Sequence, residues 1–310
     1  MKIGLTVPSG LARHSFGAMG TGVLVVVPTD RLERAAAEVE ALFATWEQAL
    51  SRFRPTSELS ALNRSSGRVI VVSELVFEVV SAALEAARAT GGLFDPSLLP
   101  DLVRIGYDRT FDAVGSPKPS AAAPRGGGGW RRVRLDRSRS TIALPPGVEL
   151  DLGGIAKGMA VDASLQALAG LGIDAALVSA GGDLAVRGRS PQSRAWPIAV
   201  GEDGNEVVEL VRGALATSTT ARRRWRQGDV GRHHLLDPRT GEPTRSGLLE
   251  VSVAAPTCMQ AEVAAKAVFV LGPTLAAGFV ARHGLAARLV NDDGRRIVLG
   301  PWPTRAEAAA

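Results

Sequence analysis

The segment Glu149–Asp162 reads ELDLGGIAKGMAVD: an apolar stretch, a Gly153-Gly154 turn, then a helix with Lys157 in its first turn. Glycines let backbone amides come close to a ligand. A helix start presents unpaired N–H groups and about half a positive charge, to which Lys157 adds a full one. Together these can cradle a phosphate, although the same residues also suit a tight β-to-α turn with a solvated lysine. The spacing is neither a Walker A loop nor a GxGxxG dinucleotide fingerprint.

A second pair, Gly181-Gly182, lies in Ser179-Ala180-Gly181-Gly182-Asp183 at the end of an apolar strand. Taken singly it reads as a turn. If its strand ran parallel to the one before Gly153, both turns would share one end of a sheet, where ligands gather in open sheets. Further on, His233 and His234 precede Asp237-Pro238-Arg239-Thr240-Gly241. That is good turn chemistry, and a histidine held by it can shuttle a proton, donate to a ligand or simply face solvent.

Pro256–Lys266 opens a helix, with Thr257 and Gln260 as a Thr-x-x-Gln capping box. Glu262 and Lys266 stand i and i+4 on one face. Exposed, such a pair contributes ~0.3–0.5 kcal/mol. Here Ala, Val and Phe surround it, and a buried pair needs further partners, so a functional role is as well supported as a structural one. Arg222-Arg223-Arg224-Trp225-Arg226 is the densest basic run. It is too short and too poor in aromatics for a nucleic-acid stripe, and suits a solvated face or contacts to an anionic ligand.

These groups must be positioned by a chain of 310 residues, two domains' worth or one large unit. With 45% hydrophobic and 22% charged residues it is an ordinary globular composition, which excludes a disordered or fibrous protein. Aromatics are only 5%, so the core must be built largely from Val, Leu and Ala. A net charge of +5 favours an anionic ligand without requiring one. The lone Cys258 excludes an internal disulfide and a Cys-rich metal site. After Lys2 the first residues hold no continuous apolar stretch, so no secretory signal is read and a soluble, cytoplasmic protein is expected. The apolar window Ala261–Ala281 carries two charges and breaks at Gly272-Pro273, which reads as two buried helices rather than a membrane span.

Strands are expected at 22–27, from Val148, at 175–179, 184–186, 198–200, 207–211 and 249–254; helices at 31–50, 76–90 with Ser73 as its N-cap, and 156–171. Ser116–Gly129, rich in Ser, Pro, Ala and Gly, reads as a flexible surface loop. Without steady βαβ alternation, the pattern favours α+β.

Taken in order, several segments resemble the ApbE family, the FAD:protein FMN transferases. They are Met19-Gly20-Thr21; Ser51-Arg52-Phe53 with Ser57-Glu58-Leu59 and Asn63; Gly92-Leu93-Phe94-Asp95-Pro96-Ser97; Asp151–Gly158; Ala180–Asp183; Thr217-Ser218 with Arg222-Arg223; His234–Gly241; and the Ala-rich helix at Glu262. The resemblance implies an α+β fold of mixed sheets with packed helices. It would form one FAD-binding unit over 16–303, between an N-terminal arm (1–15) and a tail (304–310). It implies transfer of FMN from FAD to a Ser or Thr hydroxyl of an acceptor redox protein, with release of AMP. An FAD-binding protein or FAD pyrophosphatase of the same fold is the alternative, and no nucleic-acid partner is implied.

By the same analogy Met19, Gly20, Thr21, Ser57, Glu58, Leu59, Asn63, Phe94 and Asp95 would line the flavin and adenosine pocket. Gly153, Gly154, Lys157, Ala180, Gly181, Gly182 and Asp183 would hold the phosphates, Ser218 would also contact the FAD, and His234 would assist proton transfer or orient the phosphate. The family's Mg²⁺ is implied to sit on an Asp, a Thr four residues later and a backbone carbonyl. Those positions are Glu262, Lys266 and Gly154 here. An ammonium cannot ligate Mg²⁺, so Lys266 is expected to place its own charge where the metal's would be.

Overall fold

The computed structural model describes residues 9–65, 67–190, 195–201, 204 and 206–303. Its centre is an eight-stranded sheet whose spatial order follows the chain: β1 (Leu11–Ala18), β2 (Thr21–Pro28), β3 (Ala176–Ala180), β4 (Asp183–Arg187), β5 (Gly213–Thr219), β6 (Leu248–Ala255), β7 (Ala286–Asn291) and β8 (Arg296–Leu299). Every neighbouring pair is antiparallel. Residues 11–15, expected in an N-terminal arm, belong to the edge strand β1 instead, and 1–8 and 304–310 lie outside the described residues.

Period-two alternation gives the sheet two buried faces. Val23, Val25 and Val27 of β2, with Ala176, Val178 and Ala180 of β3, point toward the helices. Val26 and Leu177 point the other way, against the antiparallel hairpin Trp196–Val200 and Glu206–Leu210. On the helical face lie α1 (Leu32–Leu50), α5 (Ala156–Gly170) and α6 (Cys258–Arg282). Ala35, Val39 and Phe43 of α1, at i, i+4 and i+8, are fully buried.

The helix α6 is kinked at Gly272, whose φ of 72° is left-handed, just before Pro273. It is the one helix among the described residues long and apolar enough to cross a membrane, and most of that stretch is buried within the protein. Its N-terminus meets α5 closely: a Cβ on Gly158 would lie 2.8 Å from the backbone of Cys258 and Met259. There Asp162 accepts from the N–H groups of Cys258 (2.8 Å) and Met259 (2.9 Å), and Thr257 Oγ1 accepts from Gln260 N.

A second layer holds α2 (Glu58–Asn63), α3 (Glu74–Ala89), α4 (Leu99–Arg104) and a small sheet of Val69–Val71, Thr141–Ala143 and Arg134–Asp136. Ser73 caps α3, as its type and place suggest. The strand expected from Val148 does not form. Leu150 gives both its backbone groups to the Asn63 amide (2.8 and 2.9 Å), and Asp151 N donates to Pro96 O, so side chains and a loop replace a neighbouring strand.

Candidate functional site

Two hairpin turns lie side by side at one end of the sheet. Met19-Gly20 joins β1 to β2 and Gly181-Gly182 joins β3 to β4, each a two-residue loop with positive φ at both positions. Gly181 N donates to Gly22 O, and a Cβ on Gly181 would strike Thr21 Oγ1 at 2.6 Å. Met19 holds a left-handed backbone without being glycine, and the Glu47 carboxylate accepts its N–H at 2.9 Å.

These turns, the Gly153-Gly154 turn, the start of α5, α6 and the segment after β5 enclose a cleft of about 900 Å³, near the upper end for small-molecule sites. Lys and Arg outnumber Asp and Glu along its walls. One part of the wall is aromatic and apolar, built from Phe53, Tyr107, Phe111, Leu98 and Leu102. Arg52 stacks there on Phe53 and on Tyr107, with its guanidinium 4.1 and 4.6 Å from the ring centroids, and pairs with Asp151 at 3.0 Å.

Another part is charged. Lys157 Nζ lies 3.0 Å from Asp183 Oδ2 and donates to Glu262 Oε1. Lys266 Nζ reaches the same Oε1 at 3.3 Å, and Gly158 N donates to Oε2 at 2.8 Å. Both oxygens of Glu262, itself 1% exposed, are therefore engaged. Burial by itself would raise the Glu262 carboxyl, but the Lys157 and Lys266 ammoniums hold it down at about 2. Burial would lower Lys157, yet Asp183 and Glu262 keep its ammonium well above the usual range. Lys266 is pulled down, chiefly by burial and with help from Lys157. Burial raises Asp183, and the Glu262 charge adds to that rise.

His234 lines the same wall, with its Nδ1 buried and without a partner among the described residues. Burial, reinforced by Arg223, Lys266, His233 and Lys157, pushes its pKa well below 6.5, so the ring is neutral at pH 7. Arg223 beside it, like Met19 and Ser140, holds a left-handed backbone without being glycine.

The structure brings Met19, Gly20, Thr21, Phe94, Asp95, Gly153, Gly154, Lys157, Gly181, Asp183, Ser218, His234 and Lys266 to this one cleft. Others named with them do scaffolding work away from its walls. Ser57 caps α2, Glu58 accepts from Ser73 N, Leu59 is core, Asn63 holds Leu150, and Ala180 is buried beneath the turn. Gly182 borders a small neighbouring pocket with Gly201 and Thr219. The amides of Gly153 and Gly181 are already bonded within the protein, to Asp151 Oδ1 and Gly22 O. An anion of the protein's own, Glu262, holds the Gly158 amide at the start of α5. Any phosphate here is met by side-chain cations more than by those amides. The sequence reading missed Glu47, Tyr107 and Phe111; Tyr107, the only tyrosine in the chain, was the available signal.

The donor set does not fit Mg²⁺, which wants near-octahedral oxygens at about 2.1 Å. Oε1 of Glu262 already meets two ammoniums and Oε2 the Gly158 amide, so a divalent ion beside it would face two positive charges. The Lys266 stem fills the space at Gly154, where an added Cβ would lie 3.1 Å from Lys266 Cε and 3.0 Å from Phe94.

The ApbE family model matches residues 19–289. The FAD:protein FMN transferase of Treponema pallidum (strain Nichols) is 33% identical over 272 residues, covering 79% of this chain and 73% of its own length. That of Haemophilus influenzae is 28% identical over 271 residues, covering 83% and 78%. The crystal structure of the ApbE protein from Thermotoga maritima has a TM-score of 0.83 at 26% identity, covering 93% of this chain and 97% of that one. The apo flavinyl transferase ApbE of Pseudomonas stutzeri has 0.80 at 27%, covering 93% and 95%. An α+β core of one antiparallel sheet, a basic cleft at its hairpin turns and a match over most of the length agree: this chain belongs to the ApbE family.

Proposed function

We propose that this chain transfers FMN from FAD to a Ser or Thr hydroxyl of an acceptor redox protein, releasing AMP. One observation carries the reading. A cleft large enough for a dinucleotide pairs an aromatic wall with converging Lys157, Lys266, Arg222 and Arg223 side chains, in a chain whose relatives are named FAD:protein FMN transferases.

FAD is a planar ring system and a nucleoside joined by a dianionic diphosphate. Phe53, Tyr107 and Phe111 offer surfaces for a planar ring, and Phe94 packs beside Lys266 where the charged wall begins. In the transfer, the acceptor oxygen bonds to the phosphorus on the riboflavin side. The bond from that phosphorus to the bridging oxygen breaks, and AMP leaves with the bridging oxygen. Negative charge shifts onto the leaving phosphate, and fixed cations that need no reorganisation stabilise it. Lys157, held by two carboxylates, is a rigid member of that set, and Lys266 and Arg223 stand on the same wall. Neutral His234 can take the acceptor's proton through a ring nitrogen.

Incubation with FAD and an acceptor peptide bearing a Ser or Thr, followed by mass spectrometry, tests the reading. Covalent FMN on the hydroxyl with one AMP per transfer is expected. FMN and AMP free in solution would instead mean hydrolysis, and unchanged bound FAD a binding protein.

A further inference from the structure

We propose that the Lys266 ammonium is the cation that meets the FAD diphosphate in this chain, and that FAD binds and is cleaved without a divalent ion. The inference rests on the flavin-transfer reading and deepens it. Around Glu262 the charges are layered. The carboxylate is 1% exposed and absent from the cleft wall, whereas Lys266 is 22% exposed at its side chain and lies on it. The stem of Lys266 runs against Gly154, so the ammonium is held between the first glycine turn and α6 rather than swinging in solvent.

Its anchors are the backbone carbonyl of its own turn, Glu262 O at 3.4 Å, and the shared Oε1 at 3.3 Å. Neither is as close as the contacts Lys157 makes with Asp183 and Glu262. Lys157 is thus committed to the protein's own carboxylates, and Lys266, more loosely held and more exposed, has donor capacity left for phosphate oxygens. Arg223 and Arg222 share the same wall and complete the positive surface. A tethered cation is part of the folded chain and needs no free ion to complete the site.

The test uses the full chain, treated with EDTA and desalted. FAD binding is followed by quenching of flavin fluorescence, and Mn²⁺ binding by the EPR signal of the free ion. Expected are equal FAD affinity and FMN-transfer rate in EDTA and in millimolar Mg²⁺, and no uptake of Mn²⁺. Lys266→Met keeps the stem and drops the charge. It should weaken FAD at least about tenfold while leaving riboflavin, which has no phosphate, bound as by the parent. Lys266→Arg should restore much of the FAD affinity. Lys266→Thr, which removes one of the two ammoniums on Oε1 of Glu262 and puts a hydroxyl in its place, should begin to take up Mn²⁺.

Mn²⁺ bound by the parent, or FAD binding that requires Mg²⁺, would overturn the inference and leave the flavin reading standing. So would Lys266→Met binding FAD like the parent. A parent that binds no FAD with or without Mg²⁺ would overturn the flavin reading itself. If Lys266→Met loses riboflavin as well and is therefore misfolded, the Mg²⁺ and Mn²⁺ measurements on the parent and the Lys266→Arg affinity decide.

Discussion

Lys157 Nζ stands 3.0 Å from Asp183 Oδ2 and also donates to Glu262 Oε1, so one ammonium in the first turn of α5 ties the β3–β4 turn to α6. Both carboxylates are almost out of solvent. Removing the ammonium would leave two like charges buried together, and breaking a buried pair costs about 3–5 kcal/mol. Lys157→Met is expected to lose stability of that order in urea unfolding and to lose FAD binding by fluorescence. A variant that unfolds at the parent's midpoint would show that the triad does not hold these elements together.

Acid should weaken the fold through its histidines. Burial lowers His233 and, with the neighbouring cations, lowers His234 further. The unfolded chain takes up these protons near pH 6.5, while the folded chain resists. The stability is therefore present above 6.5 and lost as pH falls below it. At pH 5.5 the loss reaches at most about 1.4 kcal/mol per histidine. Glu262, held at about 2, keeps its contribution through this window and loses it only in stronger acid. Asp162 and Asp183 are raised by burial and act in the opposite sense, so the comparison is made against a variant. Thermal midpoints of the parent should fall between pH 7.5 and 5.5, and His234→Asn should flatten part of that fall. Parallel pH profiles for the two proteins would remove His234 from the account.

Local rules read much of this molecule correctly. The N-cap of α3 at Ser73, the break of α6 at Gly272-Pro273 and the two-residue turn at Gly181-Gly182 each follow from residue type and spacing. The pairing of Glu262 with Lys266 followed from their i,i+4 spacing. The third and fourth members did not. Lys157 and Asp183 lie 105 and 79 positions before Glu262 and join it, Asp183 through Lys157, only because β3, β4, α5 and α6 pack together. Val148–Leu152 misled because an apolar run reads as a strand, whereas Asn63, from a distant helix, supplies the hydrogen bonds a strand would. Side-chain donors of that kind leave no periodic trace.

Gly158 is where α5 and α6 touch. A methyl group there would press on the backbone of Cys258 and Met259 at 2.8 Å, and neither helix can yield without moving Glu262, which accepts from Gly158 N. Overpacking of this kind costs about 1–3 kcal/mol. Gly158→Ala should show that loss in thermal unfolding together with weaker FAD binding, since Lys157 and Lys266 both hang on Glu262. Weaker stability with unchanged FAD affinity would mean that the charged wall does not depend on the α5–α6 spacing.

Asp95 fastens the four-glycine stretch to the cleft. Its Oδ1 accepts from Ser97 N (2.7 Å) and Ser97 Oγ (2.5 Å), and its Oδ2 accepts from Gly128 N at 2.5 Å. Asp101 in α4 does the same, taking the N–H groups of Arg125 and Gly126 at 2.9 Å each. Gly127 has room for no side chain, because a Cβ would lie 2.2 Å from Asp95 Oδ2. Charge-assisted bonds to a carboxylate contribute about 1.5–3 kcal/mol, and their loss leaves backbone donors unpaired. Asp95→Ala should therefore free the segment before it unfolds the domain. Trypsin should cut after Arg125 faster than in the parent at equal temperature, and FAD affinity should fall because Asp95 lines the cleft beside Phe94. Equal cutting rates would mean that contacts such as Gly127 N to Pro238 O hold the stretch without Asp95.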